Sequence, residues 1–175
     1  PNSVDTDADG VGDWDEIYKY DTNQTNPDTD GDGLLDGEEI FGVNITGIGV
    51  RQTDPNATDT DGDGLSDYDE AKLYYTDPTK KDTDGDGLED NEEVNVYWTD
   101  PCNIDTDNDN VSDYEEIFVY GINPNNTDTD GDGLLDGEEV FGIEIMGIGT
   151  RKTNASNVDT DGDGLSDYDE AKLYY

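Results

Sequence analysis

Asp59, Asp61, Asp63, Asp67 and Glu70 stand at positions 1, 3, 5, 9 and 12 of the stretch DTDGDGLSDYDE, with Gly64 at position 6. Carboxylates on alternate residues converge on one point only if the backbone turns sharply, and glycine supplies the positive φ such a turn needs. Side chains of one charge gathered there repel one another unless a cation holds them. The hard cation that takes six to eight oxygens from a twelve-residue loop with this spacing is calcium.

The stretch returns letter for letter at Asp159 to Glu170, and related copies begin at Asp5, Asp28, Asp82, Asp105 and Asp128. All seven carry Asp at positions 1, 3, 5 and 9 and Glu at position 12, so 35 of the 48 acidic residues are packaged as ligand sets. The charge is therefore phased along the chain, which excludes a diffusely acidic, salt-adapted surface.

Composition points the same way. Leu, Ile, Val and Phe make up about 18% of the 175 residues and the formal net charge is −40, a combination typical of disordered chains. Seven calcium ions would reduce the charge to −26, so binding and folding are expected to be one event. No histidine is present, and no nucleophile sits beside a base, which argues against an enzyme. The eight basic residues all lie outside the loops, which argues against nucleic acid as a partner. Cys102 is the single cysteine, so no internal disulfide forms. Nothing resembles a signal peptide or a membrane span. The chain opens on Pro1 and stops at Tyr175 in mid-repeat, as a segment of a longer or processed polypeptide would.

The elements that must position these loops are short. Loop starts are spaced by 23 or 31 residues, and residues 1–75 align without gaps to 101–175 with 49 identities. The expected organisation is a first repeat block over 1–100 and a second, incomplete one over 101–175, in a repeat architecture whose units pack on their neighbours. Asp13 to Tyr20, Asp67 to Tyr75, Asp90 to Tyr97 and Asp113 to Tyr120 read as two-turn helices with acidic first turns. Isolated helices this short are marginal in water. They are expected to form when the loops are metallated and their apolar patches, such as Ile17, Tyr18 and Tyr20 or Ile117, Phe118 and Tyr120, dock on the next unit. Thr76-Asp77-Pro78 and Thr99-Asp100-Pro101 end helices, because the residue before proline leaves the α region. The longer intervals hold inserts at 41–58 and 141–158. Alternation around Thr46-Gly47 and Met146-Gly147 predicts a small β-hairpin in each.

The spacing also fits an EF-hand, and the flanks arbitrate. Turn formers such as Thr25-Asn26-Pro27 and Asn125-Asn126-Thr127 precede the loops, where an EF-hand needs an entering helix. The invariably apolar position is 7 (Val11, Leu34, Leu65, Leu88, Val111, Leu134, Leu165), not 8. The tandem D-T-D-G-D-G-L-x-D pattern resembles thrombospondin type 3 repeats, in particular the cysteine-poor bacterial and archaeal versions. The resemblance implies an elongated, extracellular calcium-stabilised array, mostly loops with little regular secondary structure. It also implies the ligands, with position 7 contributing its carbonyl and position 9 acting directly or through water. These are Asp5, Asp7, Asp9, Val11, Asp13 and Glu16; Asp28, Asp30, Asp32, Leu34, Asp36 and Glu39; Asp59, Asp61, Asp63, Leu65, Asp67 and Glu70; Asp82, Asp84, Asp86, Leu88, Asp90 and Glu93; Asp105, Asp107, Asp109, Val111, Asp113 and Glu116; Asp128, Asp130, Asp132, Leu134, Asp136 and Glu139; and Asp159, Asp161, Asp163, Leu165, Asp167 and Glu170. Asn108 and Asn110 replace glycines in the fifth loop, and asparagine tolerates the left-handed backbone they require. Without the regular cysteines of animal members, calcium must carry more of the stability.

The functional expectation is a calcium-rigidified stalk, spacer or fibre segment of a surface protein. Its partners would be calcium, about one ion or more per loop, and neighbouring repeats. Two rivals use the same features: an adhesive module recognising carbohydrate or protein through hairpins and aromatic patches, and a self-assembling filament subunit joined through the hairpins or Cys102. Asn23, Asn44, Asn56, Asn125 and Asn154 open N-x-[S/T] sequons in linkers or hairpins and are candidate glycan acceptors, whereas Asn110 lies inside a loop.

Overall fold

The computed structural model describes residues 4–145 and 148–172. Each loop runs into a helix that begins at loop position 9. These are α1 to α7: Asp13–Asp15, Asp36–Phe41, Asp67–Asp69, Asp90–Glu92, Asp113–Glu115, Asp136–Phe141 and Asp167–Lys172. Where position 8 is serine it caps the turn: Ser66 Oγ accepts the Asp69 N–H (3.1 Å) and Ser112 Oγ that of Glu115 (3.3 Å).

Four helices then widen into π-helical segments, Glu16–Tyr20, Glu70–Tyr74, Glu93–Tyr97 and Glu116–Tyr120. The position-12 carbonyl is their pivot. That of Glu116 accepts from both Gly121 (2.7 Å) and Ile122 (3.0 Å). A residue at positive φ follows each of the four, Asp21, Tyr75, Trp98 and Gly121. The expected helical spans agree with these four pairs of segments, and α2, α6 and α7 are additional.

Val43–Ile45 (β1) pairs antiparallel with Gly49–Arg51 (β2), and Ile143–Ile145 (β3) with Gly149–Arg151 (β4). Both hairpins lie where alternation predicts them; the Met146-Gly147 turn lies outside the described residues. The strand period of two buries Val43 and Ile45 and exposes Asn44. The buried pair packs on Ala71, with Ile48 against the cluster. Arg51 reaches from β2 to the buried Asp77, its Nε 2.7 Å from Asp77 Oδ2. Burial opposes ionisation of Asp77, but hydrogen bonds from Arg51 and Thr79 outweigh it and hold the carboxyl below its ordinary range.

The chain divides into two compact units, Pro1–Thr83 with Glu89–Glu92, and Asp84–Leu88 with Glu93–Tyr175. It passes from one to the other within the fourth loop. In both, the side chains at loop position 7 form the interior: Val11, Leu34, Leu65, Leu88, Val111 and Leu134 are all 5% exposed or less.

The helical patches do not dock as the sequence leads one to expect. Ile17, Tyr18, Leu73 and Phe118 are roughly half to two-thirds exposed. Tyr97 meets Phe118 edge-on at 6.1 Å between ring centres, a contact of the kind expected between patches. Successive loops approach through backbone and carboxylates instead, and this leaves the outer helix faces toward solvent.

Candidate metal centres

Each loop is closed by its own backbone. The carbonyl before position 1 accepts the N–H of position 9, as in Thr58 to Asp67 (3.1 Å) and Ile104 to Asp113 (3.0 Å). The position-1 carboxylate receives the N–H groups of positions 4 and 6: Asp59 Oδ1 from Gly62 (2.6 Å) and Oδ2 from Gly64 (3.0 Å). Both donors need positive φ, which is why glycine recurs there. Asn108 and Asn110 adopt it at φ 65° and 82°, and Ala8 at 66°.

Position 2 is threonine in every loop; its N–H donates to the position-9 carboxylate in each, and in six of the seven its hydroxyl holds the other oxygen. Thr106 N donates to Asp113 Oδ1 (2.9 Å) and Thr106 Oγ1 to Oδ2 (2.7 Å). The same hydroxyl accepts the Asp100 N–H of the preceding linker (2.8 Å), so linker, loop and helix start share one side chain. Sequence reasoning missed this role, although the identity of position 2 in all seven copies was its signal. In the fourth loop the arrangement recurs, with Thr83 holding Asp90.

What remains is a set of carboxylate oxygens with nothing to bind. Asp28, Asp30 and Asp32 bring carboxylate oxygens within 4.8 Å of one another, as do Asp5, Asp7 and Asp9 and Asp59, Asp61 and Asp63. At position 3 the second oxygens of Asp30, Asp61, Asp107 and Asp130 are buried without a hydrogen-bond partner. The position-12 glutamates are wholly buried in six loops. A linker threonine takes Oε1 of some of them, as Thr76 does for Glu70 (3.3 Å) and Thr153 for Glu139 (2.9 Å), whereas the hydroxyl of Thr22 does not reach Glu16. Oε2 of Glu70 and Glu139 stays unpartnered, and Glu16 and Glu116 have no partner on either oxygen.

A second convergence joins neighbouring loops. Asp9 and Glu16 of the first loop lie within 4.8 Å of Asp36, position 9 of the second, and all three are buried. The position-9 carboxylate thus faces the preceding loop as well as its own threonine.

Burial, reinforced by surrounding aspartates, raises the carboxyl of Glu70 to about 9, of Glu116 to about 9, and of Glu39 and Glu139 to about 8. Asp30, Asp61 and Asp107 rise to about 6 for the same reason. Buried oxygens without donors are stable only if protonated or bound to a cation. The donor set is all oxygen, rich in carboxylate and without nitrogen or sulfur, which fits calcium.

Successive loops are tied by position 5. Its Oδ1 accepts the position-7 N–H, and its Oδ2 accepts the N–H at position 10 of the next loop: Asp32 from Tyr68 (2.8 Å), Asp63 from Asn91 (3.0 Å), Asp86 from Tyr114 (3.0 Å), Asp109 from Gly137 (2.9 Å) and Asp132 from Tyr168 (2.7 Å). Position 10 also lies on position 6 of the loop before. A Cβ on Gly33, Gly87 or Gly133 would stand 3.1–3.3 Å from the ring of Tyr68, Tyr114 or Tyr168. At Gly37 and Gly137 position 10 instead lies against the position-5 carbonyl of the loop before, where a Cβ would stand 2.2 Å from Asp9 O and 2.1 Å from Asp109 O.

Among the sequons, the amides of Asn56 and Asn125 are engaged with the carbonyls of Tyr20 and Tyr97 (both 3.1 Å). Asn23 and Asn154 shape linker turns by accepting from Thr25 and Ser156. Asn44 projects from β1. Cys102 is exposed. Among the described residues no helix is long and apolar enough to cross a membrane.

The bacterial TSP3 repeat family matches residues 28–41, 59–81, 82–103, 128–141 and 159–173. The loops at 5–16 and 105–116, which carry Ala8, Asn108 and Asn110 in place of glycine, fall outside the matched stretches. No curated protein matches the chain. Two solved structures share short stretches with it. The BSP domain of a biofilm associated protein is 49% identical over 25% of this chain and 7% of its own, with a TM-score of 0.24. The B domain of a biofilm associated protein is 47% identical over 26% of this chain and 11% of its own, with a TM-score of 0.26. With five family matches along its length and the same carboxylate geometry recurring between them, the chain belongs to the bacterial thrombospondin type 3 repeat family.

Proposed function

We propose that this chain is a calcium-rigidified structural segment, a stalk, spacer or fibre module of a surface protein working outside the cell. The observation that carries the reading is the set of buried carboxylate oxygens left without donors at positions 3 and 12. No hydrophobic core of ordinary size replaces them, so calcium takes the place of a core. Extracellular calcium modules bind at about 10⁻⁴ to 10⁻³ M, so such a segment is ordered in calcium-rich surroundings and loose where calcium is scarce. The 100-residue block is its unit of length, and the ligand residues are those at positions 1, 3, 5, 7, 9 and 12 of each loop.

The test is calcium titration of the chelated chain, followed by circular dichroism with calorimetric ion counting. A cooperative gain of structure with at least seven ions bound supports the reading. A chain equally folded in chelator sinks it.

A second reading is favoured by the exposed aromatics. Trp14 and Tyr18 stack at 5.3 Å while 63% and 70% exposed, and Trp98 is 75% exposed. Side chains so presented suit an adhesive surface for carbohydrate or protein. Glycan-array binding that is lost in Trp98→Ala and Tyr18→Ala would favour adhesion over a plain spacer.

A further inference from the structure

A cavity of about 210 Å³ opens beside the second hairpin, where the linker after β4 passes the end of the segment Glu116–Tyr120. Its floor is apolar: Ile122 and Val140 are each 7% exposed and Ala155 2%. Its rim carries Tyr120, Lys152 and Asn154.

The polar groups on that rim are held in place but unused. The stem of Lys152 lies over Gly142, where an added Cβ would stand 3.1 Å from Lys152 Cγ. Its ammonium has no acidic partner among the described residues, whereas Arg51, Lys72, Lys80, Lys81, Arg151 and Lys172 each have one. The amide of Asn154 is oriented through its oxygen, which accepts from Ser156 Oγ (2.9 Å), and its Nδ2 has no acceptor among the described residues. The Tyr120 hydroxyl has none there either. Unused donors around an apolar floor are the composition of a small-molecule site.

The first block supplies the contrast. A hundred residues earlier, Lys152 corresponds to Gln52 and Asn154 to Asp54. Gln52 is committed, its Nε2 donating to the Ile40 carbonyl (2.6 Å), and Asp54 puts a carboxylate where Asn154 offers an amide. The two blocks differ here by two charges, both in favour of an anion on the second.

We propose that this cavity binds one carboxylate-bearing pyranose, a hexuronic acid unit of an acidic polysaccharide. The sugar ring lies on the floor of Ile122, Val140 and Ala155 against Tyr120, Lys152 pairs with the carboxylate, and Asn154 Nδ2 and the Tyr120 hydroxyl donate to ring substituents. The acidity of the rest of the chain does not forbid an anion here. At about 0.15 M salt, exposed charges more than about 8 Å away are largely screened, so the ammonium at hand decides.

Calcium controls the site without touching the sugar. Thr153, between Lys152 and Asn154, donates through Oγ1 to Glu139 Oε1 (2.9 Å), and the Ile122 N–H donates to the Glu116 carbonyl (3.0 Å). Both glutamates stand at position 12 of their loops, so the cavity takes shape only when those loops are ordered. The proposal therefore rests on the calcium reading.

The test is an NMR titration of the isotope-labelled chain with glucuronic acid in saturating calcium, with circular dichroism on the same samples. Saturable shifts of the Lys152, Thr153 and Asn154 amides are expected, with a dissociation constant on the order of 1 mM for so small a ligand. Glucose, which lacks the carboxylate of the charge-assisted bond, should bind at least about tenfold more weakly. Acetate, which lacks the ring, should give no saturable shift. The double variant Lys152→Gln with Asn154→Asp installs the residues with which the first block folds. It should keep the calcium-dependent spectrum and weaken glucuronic acid binding at least about tenfold. A chain that folds with calcium yet shows no saturable shift, or binds glucose as well as glucuronic acid, or binds equally in the double variant, overturns the proposal and leaves the calcium reading standing. A chain that neither folds with calcium nor binds the sugar overturns both.

Discussion

The N–H of Tyr68 donates to Oδ2 of Asp32, 36 residues earlier, while its ring lies over Gly33. One residue at the start of a helix thereby reads both the carboxylate and the glycine of the loop before it. The same pairing at Asp86 and Tyr114 and at Asp132 and Tyr168 makes it the repeating joint of the array.

The joint predicts a severe effect for Gly137→Ala. A Cβ there would stand 2.1 Å from the carbonyl oxygen of Asp109, and neither backbone can yield without breaking the 2.9 Å hydrogen bond from Gly137 N–H to Asp109 Oδ2. Loss of about 1–3 kcal/mol is expected, as for overpacking elsewhere. Thermal unfolding in saturating calcium measures it, and an unchanged midpoint would show that the joint does not contribute to stability.

Thr106→Val keeps the shape of the side chain and removes the hydroxyl. It leaves Asp113 Oδ2 and the Asp100 N–H without their shared partner, at a cost of about 1–3 kcal/mol. Calcium affinity at the fifth loop should fall, because the position-9 carboxylate is no longer held in place. Calcium titration with Thr106→Ser as the control checks this, and serine should restore most of the loss.

Protons and calcium should compete for the same oxygens. Burial places the carboxyl of Glu70 at about 9 and that of Glu116 at about 9, against an ordinary 4.5, so the folded metal-free form binds more protons than the unfolded chain between those limits. Its stability therefore falls as pH rises from about 4.5 to about 9. Calcium binding at pH 6 should release more protons per ion than at pH 9.5. Calorimetry in buffers of different ionisation enthalpy gives the number, and equal release at both pH values would contradict burial of these carboxyls.

Arg51→Ala should destabilise the unit that holds the first hairpin. Asp77 is 1% exposed and depends on Arg51 for its 2.7 Å ion pair, with Lys80 more distant at 3.6 Å. Removing one partner of a buried charge pair leaves the other uncompensated, a loss of about 3 kcal/mol moderated here by Lys80 and Thr79. Chemical denaturation in saturating calcium would register it, and the double variant Arg51→Ala with Asp77→Asn should recover part of the loss.

Much of this architecture is legible in the sequence because its signals are local. Acidic residues on alternate positions with glycines between them locate every loop, and alternation around Thr46-Gly47 locates β1 and β2. What the sequence hides spans 20 to 36 residues. Nothing near Asp63 announces that Asn91 will donate to it, and nothing near Asp36 announces that it will stand beside Glu16. The aromatic patches mislead for a related reason. Hydrophobicity implies burial, but close backbone approach between loops leaves Tyr18 and Phe118 outside.

Gly37 and Gly137 fill position 10 where a position-5 carbonyl leaves no room for a Cβ, whereas Tyr68 and Tyr168 fill it over Gly33 and Gly133, and this makes the loops non-interchangeable. Deleting residues 128–158 would bring Tyr168 to the place beside the Asp109 carbonyl that Gly137 fills, whereas removing a full hundred residues restores every pairing. Recombination between the identical tracts at 59–75 and 159–175 does the latter. An encoding gene can thus lengthen or shorten its product in whole blocks without a faulty joint, and the placing of glycine or a larger residue at position 10 acts as a reading frame for growth of the protein by duplication.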